Sequence, residues 1–368
     1  MANNNDKKVL NVPALRFPEF TDEWKRCTLE DCADFLDGLR KPIKSEDRKC
    51  EKGLYPYYGA SGIIDYIDEY IFDGKYVLLS EDGANILDRN YRVAFIARGK
   101  IWVNNHAHVL LPYKNIDINF LSEALERLNY AIYNTGTTMP KLNQEVCRKI
   151  CLNIPSREEQ NKIGNLLFLL NERIATQNKI IEKLETLIKG IRNNIISKIK
   201  GDCITLQDIA DIYQPQTIAS TDLTEDGYLV YGANGIIGKY RSFNHEKEQI
   251  CITCRGNTCG TVNFTEPKSW ITGNAMVINT DNYAKNVNKR YLFHYLSSIN
   301  FNSIISGSGQ PQIVRQPLAK LKLILPVLII QNRIAECLDA MFAKMKNEQS
   351  FLQILQIQKS CLLSQMFI

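Results

Sequence analysis

Two hydrophobic rhythms alternate along the chain. Over roughly 25–155 and again over 203–326, apolar residues fall in short runs such as "YVLLS" (76–80), "VAFIA" (93–97), "QICIT" (249–253) and "WITGNAMVI" (270–278). Gly, Asn and Asp separate the runs, which predicts small, irregular, mostly β domains. A helical stretch is expected after each tryptophan-bearing run: "INFLSEALERLNYAIYNT" (118–135) and "NKRYLFHYLSSINFNSIIS" (288–306).

The other rhythm has a period of seven. From Arg157 to Ile199 there is no proline, and glycine occurs only at Gly164 and Gly190. Ile163, Leu170, Gln177, Leu184 and Ile191 alternate with Leu167, Ile174, Ile181, Ile188 and Ile195, a seam suited to a coiled coil. Carboxylates in "PSREEQ" open this helix, and Lys189, Arg192, Lys198, Lys200 and Gly201 close it. At 1.5 Å per residue the rod is about 65 Å long. The tail repeats the rhythm through Ile334, Leu338, Met341, Met345, Glu348, Leu352, Leu355, Lys359, Leu362 and Met366, with Glu348 and Lys359 as polar interruptions. Neither seam can be buried alone, so each is the natural partner of the other. The second β-rich domain starts where the first rod ends, so the rods are expected antiparallel. Gln177 and Glu348 fall at equivalent places and are expected to meet near a pseudo-two-fold axis and set register.

That equivalence reflects a duplication of the whole unit. "TLEDCADFLDG" (28–38) matches "TLQDIADIYQP" (205–215), and "YPYYGASGII" (55–64) matches "YLVYGANGII" (228–237). "YVLLSEDGAN" (76–85) falls on "QICITCRGNT" (249–258), "WVNNHAHVL" (102–110) on "WITGNAMVI", and "TGTTMPKLNQ" (135–144) on "SGSGQPQIVR" (306–315). "IPSREEQNKI" (154–163) meets "LPVLIIQNRI" (325–334). The fold class is therefore α+β, with two tandem mostly-β domains joined by two long antiparallel helices. The expected boundaries are 1–155, 156–200, 201–326 and 327–368.

Composition adds little beyond a globular class: 45% apolar and 23% charged residues over 368 positions. The longest apolar runs, such as "LILPVLII" (323–330), fall short of a bilayer span, and the first residues lack a secretory h-region. Eleven cysteines without a short disulfide framework suit a reducing cytosol, and a net charge of +5 leans weakly toward an anionic partner. Catalytic signatures are missing. There is no Pro-Pro, hence no Asn/Asp-Pro-Pro-aromatic methyltransferase motif, and no Gly-Lys-Ser/Thr phosphate loop. "EWK" (23–25) lacks a properly spaced acidic partner for a nuclease site. Cys251, Cys254 and Cys259 could suggest zinc, but a strand turns residues three apart to opposite faces, and buried free thiols are the plainer reading. His106 and His108, two apart on a strand with Asn104, are expected to share a face, as groove or surface residues rather than a catalytic or metal pair. Trp102 and Trp270 read as core.

The duplicated "YGAxGII" unit, the "IPSREEQNKI"/"LPVLIIQNRI" junctions, the long helix after each and the opening "LRFPEFTDEW" closely resemble the specificity subunit of type I restriction–modification systems, over essentially the full chain. The resemblance implies two target-recognition domains held apart by an antiparallel helical pair that docks two adenine methyltransferase subunits. It implies no cofactor in this chain, S-adenosylmethionine in the partner methyltransferase subunit, two restriction/translocase subunits in the larger complex, and a cytoplasmic location. Two unlike heads on one rod would read an asymmetric, bipartite stretch of double-stranded DNA.

Under this reading the DNA-binding candidates lie in the polar loops, where Gly admits phosphate and Asn, Gln, Arg and His can pair with base edges. In the first copy they are Tyr58, Ser61, Asp82, Asn85, Asn104, Asn105, His106, Thr137, Thr138 and Lys141. In the second they are Tyr231, Asn234, Arg255, Asn257, Thr272, Asn274, Ser308, Gln310, Gln312 and Arg315. Matched residues (Tyr58/Tyr231, Gly59/Gly232, Gly83/Gly256, Pro140/Pro311) suit loop shape or backbone contact. Unmatched pairs suit specificity: Ser61/Asn234, Asp82/Arg255, Asn105/Gly273, His106/Asn274, Thr138/Gln310 and Lys141/Gln312. The rival reading is a coiled-coil scaffold whose duplicated heads bind protein rather than DNA. A third is the recognition partner of a type IIB- or IIG-like system.

Overall fold

The computed structural model describes residues 10–48, 53–233, 235–307 and 309–368. The chain divides into two compact units, 1–178 with 351–368, and 179–350.

In the first unit the strands are β1 (Lys25–Thr28), β2 (Ala33–Phe35), β3 (Tyr55–Gly59), β4 (Gly62–Ile67), β5 (Phe72–Ser80), β6 (Ala94–Val103), β7 (Ala107–Pro112) and β8 (Cys151–Ile154). Its helices are α1 (Asn85–Asp88), α2 (Ile118–Glu126), α3 (Gln144–Arg148) and the first part of α4 (Arg157–Lys198). Six strands form one sheet in the order β2-β7-β5-β6-β3-β4, while β1 and β8 make a separate ribbon. All pairs are antiparallel except β3 with β6.

The second unit continues with β9 (Asp202–Thr205), β10 (Asp211–Tyr213), β11 (Tyr228–Gly232), β12 (Gly235–Tyr240), β13 (Ile250–Thr253), β14 (Val262–Phe264), β15 (Trp270–Ile271), β16 (Ala275–Asn279), β17 (Ile305–Ser306), β18 (Gln312–Ile313) and β19 (Lys322–Leu325). Its helices are α5 (Lys289–Leu296), α6 (Arg315–Ala319) and most of α7 (Leu328–Gln365). The strand that is continuous as β6 is here split into β14 and β15. The segment between them holds Pro267, which has no N–H to give a ladder, and Lys268 at φ +52°. One six-stranded sheet thereby becomes two, β10-β16-β13-β14 and β12-β11-β15. The helical stretches after the tryptophan-bearing strands are shorter than their sequence suggests. Each stops after α2 or α5 and resumes as one 3-10 turn, Tyr130–Tyr133 or Phe301–Ile304.

The repeated motifs resolve into repeated hydrogen bonds. In "TLEDxAD" and "TLQDxAD", Asp31 Oδ2 accepts the Thr28 N–H and Asp208 Oδ2 the Thr205 N–H, each at 2.8 Å. The glutamine of each junction is a buried clasp. Gln160 Oε1 accepts the Asp117 N–H (2.8 Å), while Nε2 donates to Asn115 O (3.2 Å) and Pro155 O (3.0 Å). Gln331 repeats this with Asn288 N (2.8 Å), Asn286 O (2.9 Å) and Pro326 O (2.8 Å). Each clasp fixes the start of a long helix to the N-terminus of the helix in its own head. In "LRFPEFTDEW", Arg16 grips buried Glu159 with two bonds of 2.7 Å.

Every seam position read from the heptads, in both helices, is buried or half-buried. Gln177 is 5% exposed, and Glu348 forms an i,i+4 ion pair with Lys344. Within the first unit the two helices run in opposite directions. Arg173 lies over the Phe351 ring at 5.2 Å, whereas Ile163 and Leu167 share a core with Leu362, Leu363 and Met366. In the second unit Ile196 and Ile199 share a core with Ile334 and Ala335, again pairing late α4 with early α7. Lys359 has a partner across the head: its ammonium lies 3.4 Å from Glu123, a buried carboxylate also held by Arg92 (2.7 Å) and Asn171 (2.8 Å), although burial still holds the Lys359 pKa below its ordinary value. The C-terminus closes the first core, with Phe367 stacked on Phe120 at 5.1 Å and edge-on to Trp24 at 6.2 Å. Among the described residues no helix is long and apolar enough to cross a membrane.

Candidate nucleic-acid interface

Three loops meet at one end of each head, and the same backbone hydrogen bonds hold them. In the first unit Glu81 N donates to His106 O (2.9 Å), Leu142 N to Glu81 O (2.7 Å) and Gly83 N to Pro140 O (3.0 Å). In the second, Cys254 N donates to Asn274 O (3.0 Å), Ile313 N to Cys254 O (3.0 Å) and Gly256 N to Pro311 O (3.0 Å). A fourth element joins through a hydroxyl. Ser80 Oγ donates to Ala60 O, and Thr253 Oγ1 donates to Ala233 O, tying the "YGA" turn to the loop that follows β5 or β13.

The matched glycines follow from this frame. Gly83 and Gly256 sit at φ +107° and +84°, a backbone conformation that suits glycine. Gly59 and Gly232 instead make room, since a Cβ there would lie 3.3 Å from Ile64 Cγ2 and 2.9 Å from Ile237 Cδ1. The residue approached is the second isoleucine of each "YGAxGII". Both isoleucine pairs remain exposed at the hairpin tips.

The frame brings unmatched residues together. Asp82 and Lys141 form an isolated β-bridge, and Arg255 and Gln312 form the equivalent one. His106 Nδ1 lies 2.8 Å from Asp82 Oδ1 on the open side. Ser61, Asn105, His106, Thr137, Thr138 and Lys141 are exposed in the first head, and Arg255, Asn257, Gln310, Gln312 and Arg315 in the second. Asn274 is half-buried. Asn234 and Ser308 lie outside the described residues.

Several candidates are occupied within the head instead. Asn104 is 5% exposed and its Oδ1 accepts the His106 N–H (2.8 Å). Thr272 is 1% exposed and Tyr231 5%, the latter's hydroxyl accepting the Glu266 N–H. Burial raises the Tyr231 and Tyr58 hydroxyl pKa values, and Tyr58 stacks on Phe95 at 6.1 Å. The Asn85 amide braces a turn through both backbone groups of Tyr91. Short polar residues cap loops with the same groups that read bases, so composition alone could not separate the two uses.

His106 and His108 part company. His106 belongs to the turn before β7, while His108 lies inside the strand and points into the head, fully buried. Its Nδ1 lies 2.6 Å from Asp37 Oδ2 and its Nε2 2.8 Å from Leu142 O. Glu81 completes a trio that, among the described residues, has the spacing of a metal site. The cations present there are the protein's own, with Arg40 Nη1 at 2.7 Å and Lys141 Nζ at 3.4 Å from Glu81. Sequence reading missed this network because Asp37, Arg40, Glu81, His108 and Gln144 share no local pattern.

Trp102 is core-like at 9% exposure, with Nε1 donating to Lys41 O, but Trp270 is only half-buried, edge-on to Tyr240. Cys251 and Cys254 are buried. Burial pushes the Cys251 thiol up to about 12, and Cys254 Sγ accepts from Gln214 Nε2.

The chain is 28% identical over 345 residues to a type I restriction enzyme specificity subunit of Haemophilus influenzae, covering 86% of each. It is 25% identical over 334 residues to a type I specificity subunit of Mycoplasma pneumoniae, covering 85% of this chain and 88% of that one. Its fold matches the crystal structure of the type I S subunit from M. genitalium with a TM-score of 0.74 at 16% identity, over 97% of this chain and 99% of that one. The family described as the type I restriction modification DNA specificity domain matches twice, over 21–186 and 202–356, one match beginning in each head, and the chain belongs to that family.

Proposed function

We propose that this chain is the non-catalytic reader of a type I restriction–modification complex, with each head reading one half of an asymmetric, interrupted DNA target. The observation that carries this is the duplicated loop frame: identical backbone bonds hold different side chains, Asp82, His106 and Lys141 in one head and Arg255, Asn274 and Gln312 in the other. A shared frame with unlike chemistry suits two different base sequences met in the same orientation. Exposed Ser61, Asn105, Thr137, Thr138, Asn257, Gln310 and Arg315 complete the candidate reading surface.

The helices supply the second half of the reading. Beyond the buried seam they carry exposed Leu169, Leu187, Ile354 and Ile357. In the first unit Leu166, Leu169, Leu170, Cys361 and Leu362 line an apolar groove of about 520 Å³. Exposed apolar positions of this kind suit helices of two adenine methyltransferase subunits, which would bring S-adenosylmethionine and the catalytic groups, in the cytoplasm where chromosomal DNA lies. Two restriction subunits would join that assembly.

The test is to map methylated adenines genome-wide with and without this gene. One split motif should vanish on deletion, and exchanging residues 25–155 alone should alter one half of it. Retention of the motif, or alteration of both halves, refutes the reading. Binding of the complex to duplex DNA should also fall steeply with salt, which a protein-binding scaffold would not show.

A further inference from the structure

We infer that His108, held as an imidazolium, is the positioning residue that sets the recognition loops of the first head, and so governs the bases read by that half of the target alone. The inference rests on the half-site reading above.

Its protonation follows from geometry. Nε2 faces the Leu142 carbonyl oxygen, which can only accept, so that nitrogen carries hydrogen. Nδ1 faces Asp37, whose Oδ1 already accepts the Val109 N–H (2.9 Å) and whose Oδ2 accepts Gln144 Nε2 (2.9 Å). A carboxylate ringed by donors is ionised, so Nδ1 donates as well. Burial opposes the charge, but the bond to Asp37 and the neighbouring Cys147 thiol outweigh it and lift His108 to about 10.

The ring touches the backbone of one loop and the anchor of the others. Leu142 adjoins Lys141, Asp37 fixes the chain at Val109, and Arg40 joins Asp37 (3.5 Å), Glu81 (2.7 Å) and the Ala107 carbonyl (2.7 Å). Glu81 itself lies 3.8 Å from Nδ1. The loops bearing Asp82, His106 and Lys141 therefore share one charged clip beneath them.

The second head has the same frame without the charge. Met276 faces Ile252 across the ladder as His108 faces Leu79. Gln214 stands in for Asp37 and Cys254 for Glu81, with Gln214 Nε2 donating to Cys254 Sγ (3.1 Å) and Gly273 O (3.0 Å). A neutral clip thus suffices there, and the charged one is a property of the first head.

The experiment uses the chain assembled with its methyltransferase subunit, acting on DNA in which each position of the split motif is randomised. H108M should lower kcat/KM at the native site by on the order of 10-fold to 100-fold, chiefly through KM, with base preference relaxed only in the half read by residues 25–155. Asp37→Gln combined with H108M removes both charges and should recover much of the loss, because a stranded carboxylate is costlier than an absent pair. His108→Gln, which keeps a donor for the Leu142 carbonyl but loses the charge, carries the test if H108M does not assemble. A merely structural role would lower yield and activity at every sequence alike; unchanged preference in the first half, or equal relaxation of both, overturns the inference. If the wild-type complex methylates no split motif, the half-site reading itself fails, which is a separate result.

Discussion

Replacing Gln160 by leucine keeps its bulk and removes the clasp. The side chain is 2% exposed, and its loss takes a partner from the Asp117 N–H and the Asn115 carbonyl, both part-buried, and from the buried Pro155 carbonyl. Each buried polar group left without a partner costs about 1–3 kcal/mol. The N–H is the strictest loss, since the part-buried Asn115 carbonyl can turn to water, so the expected destabilisation is on the order of 2–4 kcal/mol. Gln160→Glu should be no milder. It preserves shape and one acceptor, but sets a carboxylate oxygen against two carbonyl oxygens. Urea unfolding of the full chain followed by tryptophan fluorescence reads this directly, because Trp24 sits in the same core. Exposed Gln358→Leu is the control, expected within about 0.5 kcal/mol of wild type. If Gln160→Leu tracks that control, the clasp is ornamental and the duplicated junction needs another explanation. Gln331→Leu should show a loss of the same size.

Two glycines of α4 should respond oppositely to alanine. At Gly190 nothing lies within 4 Å of the added Cβ, so G190A should stabilise by about 0.5–1 kcal/mol in thermal or urea unfolding. At Gly164 the Cβ would meet Asp117 Oδ1 at 2.4 Å and Phe120 N at 2.8 Å, displacing the cap of α2, and G164A should destabilise by about 1–3 kcal/mol. Lys359→Leu repairs the heptad yet should destabilise by on the order of 2 kcal/mol, because it strips a cation from buried Glu123; a gain in urea midpoint would refute this. His108 is raised above its ordinary 6.5, so its contribution is whole below pH 6.5, declines above it and is gone past about 10. The stability gap between wild type and H108M should therefore shrink as pH rises across that window, measured by urea unfolding; a gap that is constant or widens refutes this. Asp37, held low, gives the opposite edge, losing its contribution as pH falls. Exchanging Asp82→Arg with Lys141→Gln should change methylation in one half of the motif only, read by sequencing methylated adenines.

The parts of this molecule that repeat in sequence were legible, and the parts that occur once were not. Heptad spacing located both seams because burial along a helix has a fixed period. Lining up the two copies paired Asp82 with Arg255 and Lys141 with Gln312, and the two β-bridges fall on those pairs. Lys359 looked like a defect because its partner, Glu123, lies on a distant helix. His106 and His108 looked like neighbours on one face because strand periodicity was extended one residue too far; β7 begins at Ala107. Asn104 and Thr272 looked like ligands because loop capping and base reading draw on the same short polar side chains.

The bracing of the three loops by main-chain atoms has an evolutionary corollary. Amide and carbonyl groups are common to every residue type except proline's missing donor, so the frame is nearly indifferent to what projects from it. A lineage can exchange outward side chains at 82, 106 and 141, or at 255, 274 and 312, with little folding penalty, and so acquire a new address without building a new instrument. The divergence between the two halves of this one gene product is a record of that freedom.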